Sequence, residues 1–218
     1  MTLTLTLVRH GQTHFNQRQL LQGSSDSPLT RPGRDGVRAT ARHLADIPFV
    51  AAYSSPSGRA VATAVELMRH HPTLRLVTDP DLREYDFGTF ERRPERELEQ
   101  VAPWAQIVPE ILAGRYPGLP RGEHAADFMA RIRRAFATII VHHPVGDVLV
   151  VGHGLALGAW LATLDPAGLV ALPNASVSTV EVEPDGTTRL LHVGVDVAGH
   201  GNLAARPVPA APVEPVGA

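Results

Sequence analysis

The sequence predicts an α/β fold in which a mostly parallel sheet is covered by helices on both faces. Two observations carry this expectation. Short β-branched and apolar runs alternate with helix-period segments through most of the 218 residues, and that alternation builds parallel sheets with helical crossovers. An apolar fraction of 44% with 19% charged residues is that of an ordinary globular chain, for which one core is expected at this length. A third observation places a site within the fold. Two of the apolar runs end in the same dipeptide, His10-Gly11 and His153-Gly154.

Residues 2–8, Thr-Leu-Thr-Leu-Thr-Leu-Val, form the first strand. Thr30, with Pro32 just after it, caps a helix reaching residues 43–46. A short apolar strand follows at 49–53. Ser54-Ser55-Pro56-Ser57 then opens a helix whose stripe is Ala60, Ala64, Leu67 and Met68. Another short strand covers 74–78. From 79 to 121 six prolines interrupt every period, which predicts an insertion or lid over the site. Phe128, Ile132, Phe136 and Ile139 recur at helical spacing, with Arg131, Arg133 and Arg134 expected mostly outward. Residues 147–151 read as a buried strand, 155–164 as an apolar helix, and 177–182 with 188–193 as a hairpin turned by Pro184-Asp185-Gly186. Residues 1–204 are therefore expected to be one domain, and 205–218 a disordered Pro/Ala-rich tail. No solenoid-type repeat is present.

Composition excludes several chemistries. A formal net charge of −2 gives no nucleic-acid or membrane-seeking footprint. No cysteine is present, so disulfides, thiolate metal sites and cysteine nucleophiles are ruled out. No apolar stretch is long enough to span a bilayer and no signal peptide is read, so a soluble cytoplasmic protein is expected. All twenty basic residues are Arg. Schiff-base lysines and the P-loop lysine are thus unavailable, and any phosphate would be held by Arg, His or backbone amides. The planar Arg fork meets oxyanions bidentately.

In open α/β sheets ligands gather at the carboxyl ends of the strands. Arg9-His10-Gly11 and Gly152-His153-Gly154 both stand at such ends. If their strands are neighbours, two imidazoles face one crevice. Arg59 lies in the first turns of a helix, where free amides and the dipole also favour an anion. Leu82-Arg83-Glu84-Tyr85-Asp86-Phe87-Gly88 puts carboxylates on a loop after a further strand. Two Arg, two His and a carboxylate suit phosphoryl transfer. A neutral imidazole attacks phosphorus, Arg and a second, protonated His stabilise the charge, and a carboxylic acid protonates the leaving alkoxide. Such a site needs no metal or cofactor.

These residues match a known pattern. Arg9-His10-Gly11-Gln12-Thr13 with Asn16, Ser54-Ser55-Pro56 with Arg59-Ala60 and Thr63-Ala64, Leu82-Arg83-Glu84 with Phe87-Gly88 and Glu91, Gly122-Glu123, and Gly152-His153-Gly154 resemble the histidine phosphatase superfamily, in its phosphoglycerate mutase-like branch. The resemblance spans residues 3–195 in the family's order. It implies a three-layer α/β/α sandwich with a phosphate pocket at the strands' carboxyl ends. It further implies His10 as nucleophile, Arg9, Arg59 and His153 as phosphate pocket, Glu84 as proton donor and Asn16 as a polar support of the pocket. A homodimer is the family-level expectation. Ala62, Arg92 and His124 depart from the family's usual Gln, Gly and Ser, and bear on substrate identity. Arg92 and Arg93 are the basic residues available to a mutase's second anion. The segment is short and without Lys, which favours a phosphatase of small phosphomonoesters over a mutase.

Rival classes fit less well. Gly152–Gly158 imitates a dinucleotide fingerprint with one residue too many, and it comes late in the chain. A non-catalytic phospholigand-binding module would need neither His10 nor Glu84. A His-based metallohydrolase lacks His-Glu-x-x-His.

Overall fold

The computed structural model describes residues 2–199. Strands β1 (Leu3–Arg9), β2 (Phe49–Ser54), β3 (Leu76–Thr78), β4 (Gly146–Gly152), β5 (Val177–Val182) and β6 (Thr188–Val195) form one six-stranded sheet in the order β3-β2-β4-β1-β5-β6. The first four of that order run parallel; β5 is antiparallel to β1, and β6 to β5. The mostly parallel sheet is therefore as expected, with a hairpin added at one edge. Because β1 is paired on both sides and covered on both faces, Thr6 is as buried as the leucines around it.

Helices α2 (Arg31–His43) and α3 (Gly58–Leu67) cover one face, where Val37, Ala41, Ala60, Ala64 and Leu67 pack on Val8, Ala52, Leu149 and Val151. Helices α6 (Ala125–His142) and α7 (Gly154–Leu164) cover the other, where Phe128, Ile132, Phe136 and Leu161 meet Leu5, Leu7, Val148 and Val150. This is the α/β/α sandwich, and each fully buried Leu, Ile or Phe contributes about 1.5–3 kcal/mol. Thr30 caps α2 by accepting from the Gly33 amide, with proline in the first turn. A short helix α1 (His14–Gln17) starts in a reciprocal capping box between Thr13 and Asn16.

Three expectations are adjusted. The strand expected at 74–78 begins at Leu76, because the Leu74 amide closes a turn onto the His71 carbonyl. Segment 79–121 is not without helices: α4 (Glu95–Val101) and α5 (Trp104–Leu112) form within it, and their Leu98, Ile107 and Ile111 join the core cluster on the α6 side. Arg133 and Arg134 are exposed, but Arg131 is buried against the loop that carries Glu84. The tail expected at 205–218 lies outside the described residues. No helix of the described residues is long and apolar enough to cross a membrane.

Candidate active site

The parallel register of β1 and β4 sets Arg9 opposite Gly152, so His10 and His153 emerge side by side. Their rings stand edge to face with centroids 5.3 Å apart. The His10 amide donates to the Gly152 carbonyl at 3.0 Å, which locks the two strand ends together. On the far side of β4, the Ser55 amide donates to Val151 at 3.0 Å, and Ser55 Oγ lies 2.8 Å from His153 Nε2. Helix α3 then delivers Arg59, whose side chain is fully buried, with Nε 3.3 Å from His10 Nε2.

The tautomer of His10 follows from its partners. Nδ1 lies 2.8 Å from its neighbour's carbonyl, Gly11 O, which can only accept, so Nδ1 carries the proton and Nε2 keeps a lone pair. Burial, then the charges of Arg59 and Arg9, hold His10 well below its ordinary value. Burial, with Arg59, His10 and Arg9 beside it, does the same to His153. The sequence called for a protonated second His, whereas in the free site both imidazoles are neutral. Ser55 Oγ, 2.8 Å from His153 Nε2, also lies 3.2 Å from Ser57 Oγ. His153 Nδ1 is buried without a hydrogen-bond partner.

Arg59 reaches beyond the imidazoles. Its Nη1 donates to Ser25 O and Asp26 Oδ1, both at 2.9 Å, and its Nη2 to Gly23 O at 2.9 Å. Loop 22–26 is thereby tied to α3, and Arg59 faces His10 through Nε. The same loop is held from the other side by Glu91, whose carboxylate accepts from the amides of Gly23, Ser24, Ser25 and Phe87. A Cβ on Gly23 would meet the Tyr85 carbonyl at 2.0 Å, so only glycine fits there.

Arg9 lies over Gly154 and donates through Nη1 to the Leu172 carbonyl, while its buried Nε has no partner. Glu84 is buried at the start of α7: Oε1 accepts from the Tyr85 and Ala156 amides and Oε2 from the Leu155 amide, all at 2.9 Å. Burial raises its carboxyl above the ordinary value, against the pull of those amides and of Arg59 and Arg9. Asn16 Oδ1 accepts from the Thr13 amide and hydroxyl and from Asn174 Nδ2, so Asn16 braces α1 at the rim.

Arg9, His10, Asn16 and Glu84 line one cavity of about 470 Å³, with His153 and Arg59 behind His10. The structure thus brings all six expected residues together. Arg92 and Arg93 stay outside it: Arg92 is exposed, and Arg93 pairs with Glu97 at 2.6 Å over the Phe90 ring. Sequence reasoning missed Ser55 as the partner of His153, Asn174 at the rim and Arg131. Arg131 binds both Glu123 carboxylate oxygens (2.6 and 2.7 Å) and the carbonyls of Asp81, Arg83 and Glu84. Its only sequence signal is a position on the apolar stripe of α6, one residue before Ile132.

Comparison with known proteins agrees with this geometry. The family described as histidine phosphatase superfamily (branch 1) matches residues 5–194. The chain belongs to that superfamily. A curated relative named probable phosphoglycerate mutase GpmB, from Yersinia enterocolitica, is 34% identical over 193 residues, covering 83% of this chain and 86% of the relative. The crystal structure of a phosphoglycerate mutase from Bacillus anthracis superposes with TM-score 0.77 at 29% identity, over 90% of this chain and 95% of that one. A mycobacterial glucosyl-3-phosphoglycerate phosphatase in complex with VO3 superposes with TM-score 0.73 at 27% identity, over 86% and 96%. The relatives' names thus divide between mutase and phosphatase.

Proposed function

We propose that the protein is a metal-independent cytoplasmic phosphatase of small phosphomonoesters, acting through a phosphohistidine on His10 with Glu84 as general acid and base. The observation that carries this reading is the His10 ring: Nδ1–H spent on Gly11, Nε2 a lone pair at neutral pH, and Arg59 beside it. An imidazole so held is a nucleophile and not an acid.

In the first step His10 Nε2 forms a bond to phosphorus while the bond to the leaving oxygen breaks. The protonated Glu84 gives that oxygen its proton. Burial raises the Glu84 carboxyl above its ordinary value, the direction that favours its acid form. Arg9 Nε and Arg59 supply charge for the equatorial oxygens, and His153 Nδ1 shares a hydrogen bond with the phosphoryl group. In the second step the Glu84 carboxylate takes a proton from water, the water oxygen bonds phosphorus, and the N–P bond breaks. Inorganic phosphate leaves, and His10 and Glu84 return to their starting states.

The mutase reading is supported by the name of the curated relatives. Phosphatase is favoured because Arg9 is the one cationic side chain lining the cavity among the described residues, so a second anionic group on the substrate meets no second cation there. The test is p-nitrophenyl phosphate hydrolysis in excess EDTA by wild type and His10→Ala, beside interconversion of 3- and 2-phosphoglycerate. EDTA-resistant hydrolysis that is lost in His10→Ala is the expected result. Phosphoglycerate interconversion without hydrolysis overturns it.

A further inference from the structure

The part of the cavity beyond the phosphate groups has a definite chemistry. Leu20, Phe87, Trp104, Val108, Leu169 and Val170 line it. Leu169 and Val170 are also 40% and 44% exposed, so the apolar surface continues outward past the rim. Trp104 is held on three sides. Its ring nitrogen donates to Glu95 Oε1 at 2.7 Å, its backbone amide to Glu99 at 3.0 Å, and its ring meets the Phe87 edge at 5.8 Å between centroids. An aromatic side chain fixed in this way is a ready wall for a flat apolar group. The charged or titratable groups lining the cavity are Arg9, His10, Glu84 and Glu95 among the described residues. The first three face the phosphoryl end. Glu95, bonded to Trp104 Nε1, is the remaining charged group, and its negative charge also reaches Arg9.

On the phosphatase reading, we infer that this end selects an apolar, aromatic-type alcohol without a second anion, with Trp104 as its wall and Glu95 as the charge that turns anionic leaving groups away. Glu95 is solvent-exposed, so a carboxylate or second phosphate entering beside Phe87 and Trp104 meets a repulsion that salt screens and that is felt most at low ionic strength. Specificity here comes from an unfavourable contact with the wrong ligand as much as from a favourable one with the right ligand.

Benzylphosphonate and 4-carboxybenzylphosphonate test this, being non-hydrolysable and differing in one carboxylate. Their affinities are measured by calorimetry at low ionic strength for wild type, Glu95→Gln and Trp104→Ala. Wild type is expected to favour benzylphosphonate by at least about tenfold, which corresponds to about 1.4 kcal/mol. In Glu95→Gln, which keeps an acceptor for Trp104 Nε1, the ratio falls to within about threefold. Added salt shrinks the wild-type ratio but not the variant's. Trp104→Ala weakens benzylphosphonate severalfold. A wild-type ratio near one, a ratio unchanged by Glu95→Gln, or no benzylphosphonate binding overturns the inference. Phenyl phosphate hydrolysis, run in parallel, separates the two claims. Selective binding without turnover sinks the phosphatase reading alone, and turnover with a flat ratio sinks the selection by Glu95 alone.

Discussion

Arg131→Met removes three hydrogen bonds that join α6 to the loop carrying Glu84 and two to the Glu123 carboxylate, while keeping an aliphatic stem beside Phe128. The cost follows from what is left behind. The Arg131 and Glu123 side chains are 8% and 17% exposed, so Glu123 becomes a charge in a site that water barely reaches. Breaking one partner of a buried pair costs about 3–5 kcal/mol, and the residual access of Glu123 puts it at the lower end. Asp81 and Arg83 are partly or fully exposed, so water can satisfy their carbonyls, but Glu84 is buried. Its orphaned carbonyl adds about 1 kcal/mol, for a total of about 4 kcal/mol. With an m-value of about 3 kcal/mol/M for a chain of this size, the urea midpoint should fall by about 1.3 M.

Arg131→Met/Glu123→Leu decides whether that reasoning is right. Removing the stranded carboxylate should recover part of the loss, since a buried pair replaced on both sides by apolar groups is often close to neutral. A single variant within about 1 kcal/mol of wild type, or a double variant as unstable as the two single losses added, would refute it. Activity gives a second readout. The loosened loop should lower kcat for an alkyl phosphate, which needs the Glu84 proton, more than for p-nitrophenyl phosphate, which does not.

The remaining predictions concern the site itself. Glu84→Gln should lower kcat for alkyl phosphates by about 10²–10⁴-fold and for p-nitrophenyl phosphate far less; equal losses on both substrates would remove the proton-donor role. The profile of kcat/KM against pH should be bell-shaped. Activity falls as pH rises through the raised value of Glu84 and again as it drops through the lowered value of His10, so a plateau running to pH 9 contradicts both roles. Stability has its own pH dependence. His10 and His153 lie below their ordinary 6.5 in the fold, so the unfolded chain binds more protons and stability is lost as pH falls below about 6.5. His153→Gln should flatten that loss in denaturation runs between pH 7 and 5, and an unchanged slope would contradict the assignment.

What the sequence made legible was what local chemistry writes. A β-branched run ending in Arg9-His10-Gly11, a second ending in His153-Gly154, and Thr30 before Pro32 each state their role within a few residues. The parallel sheet followed from their alternation with helices, and so did the meeting of His10 with His153. Helices α4 and α5 were hidden because prolines read as breakers. Pro94 and Pro103 are in fact the N-caps of those helices, where a missing N–H costs nothing. Ser55 and Arg131 were hidden for a different reason. A serine in a turn and an arginine on a helix look solvated until partners 98 and 47 residues away are brought to them. Arg131 was read as outward because Arg133 and Arg134 beside it are, and period alone does not separate neighbours on a helix edge.

The same burial that makes the site reactive makes it costly to fold. Arg9 Nε and His153 Nδ1 are both buried without a hydrogen-bond partner, and each such group costs about 1–3 kcal/mol. Burial lowers Arg9 and Arg59 from their ordinary values but leaves both charged, and they oppose protonation of His10 and His153. A fold selected only for stability would fill these positions with apolar side chains. The strain has a direction: each of these groups is relieved by an oxyanion between the two histidines. Arg9 Nε gains an acceptor, His153 Nδ1 gains a hydrogen-bond partner, and Arg9 gains a negative charge beside it. On the phosphatase reading, a tetrahedral phosphoryl group meets these needs, and the transferring phosphoryl, with charge spread over its equatorial oxygens, meets them best.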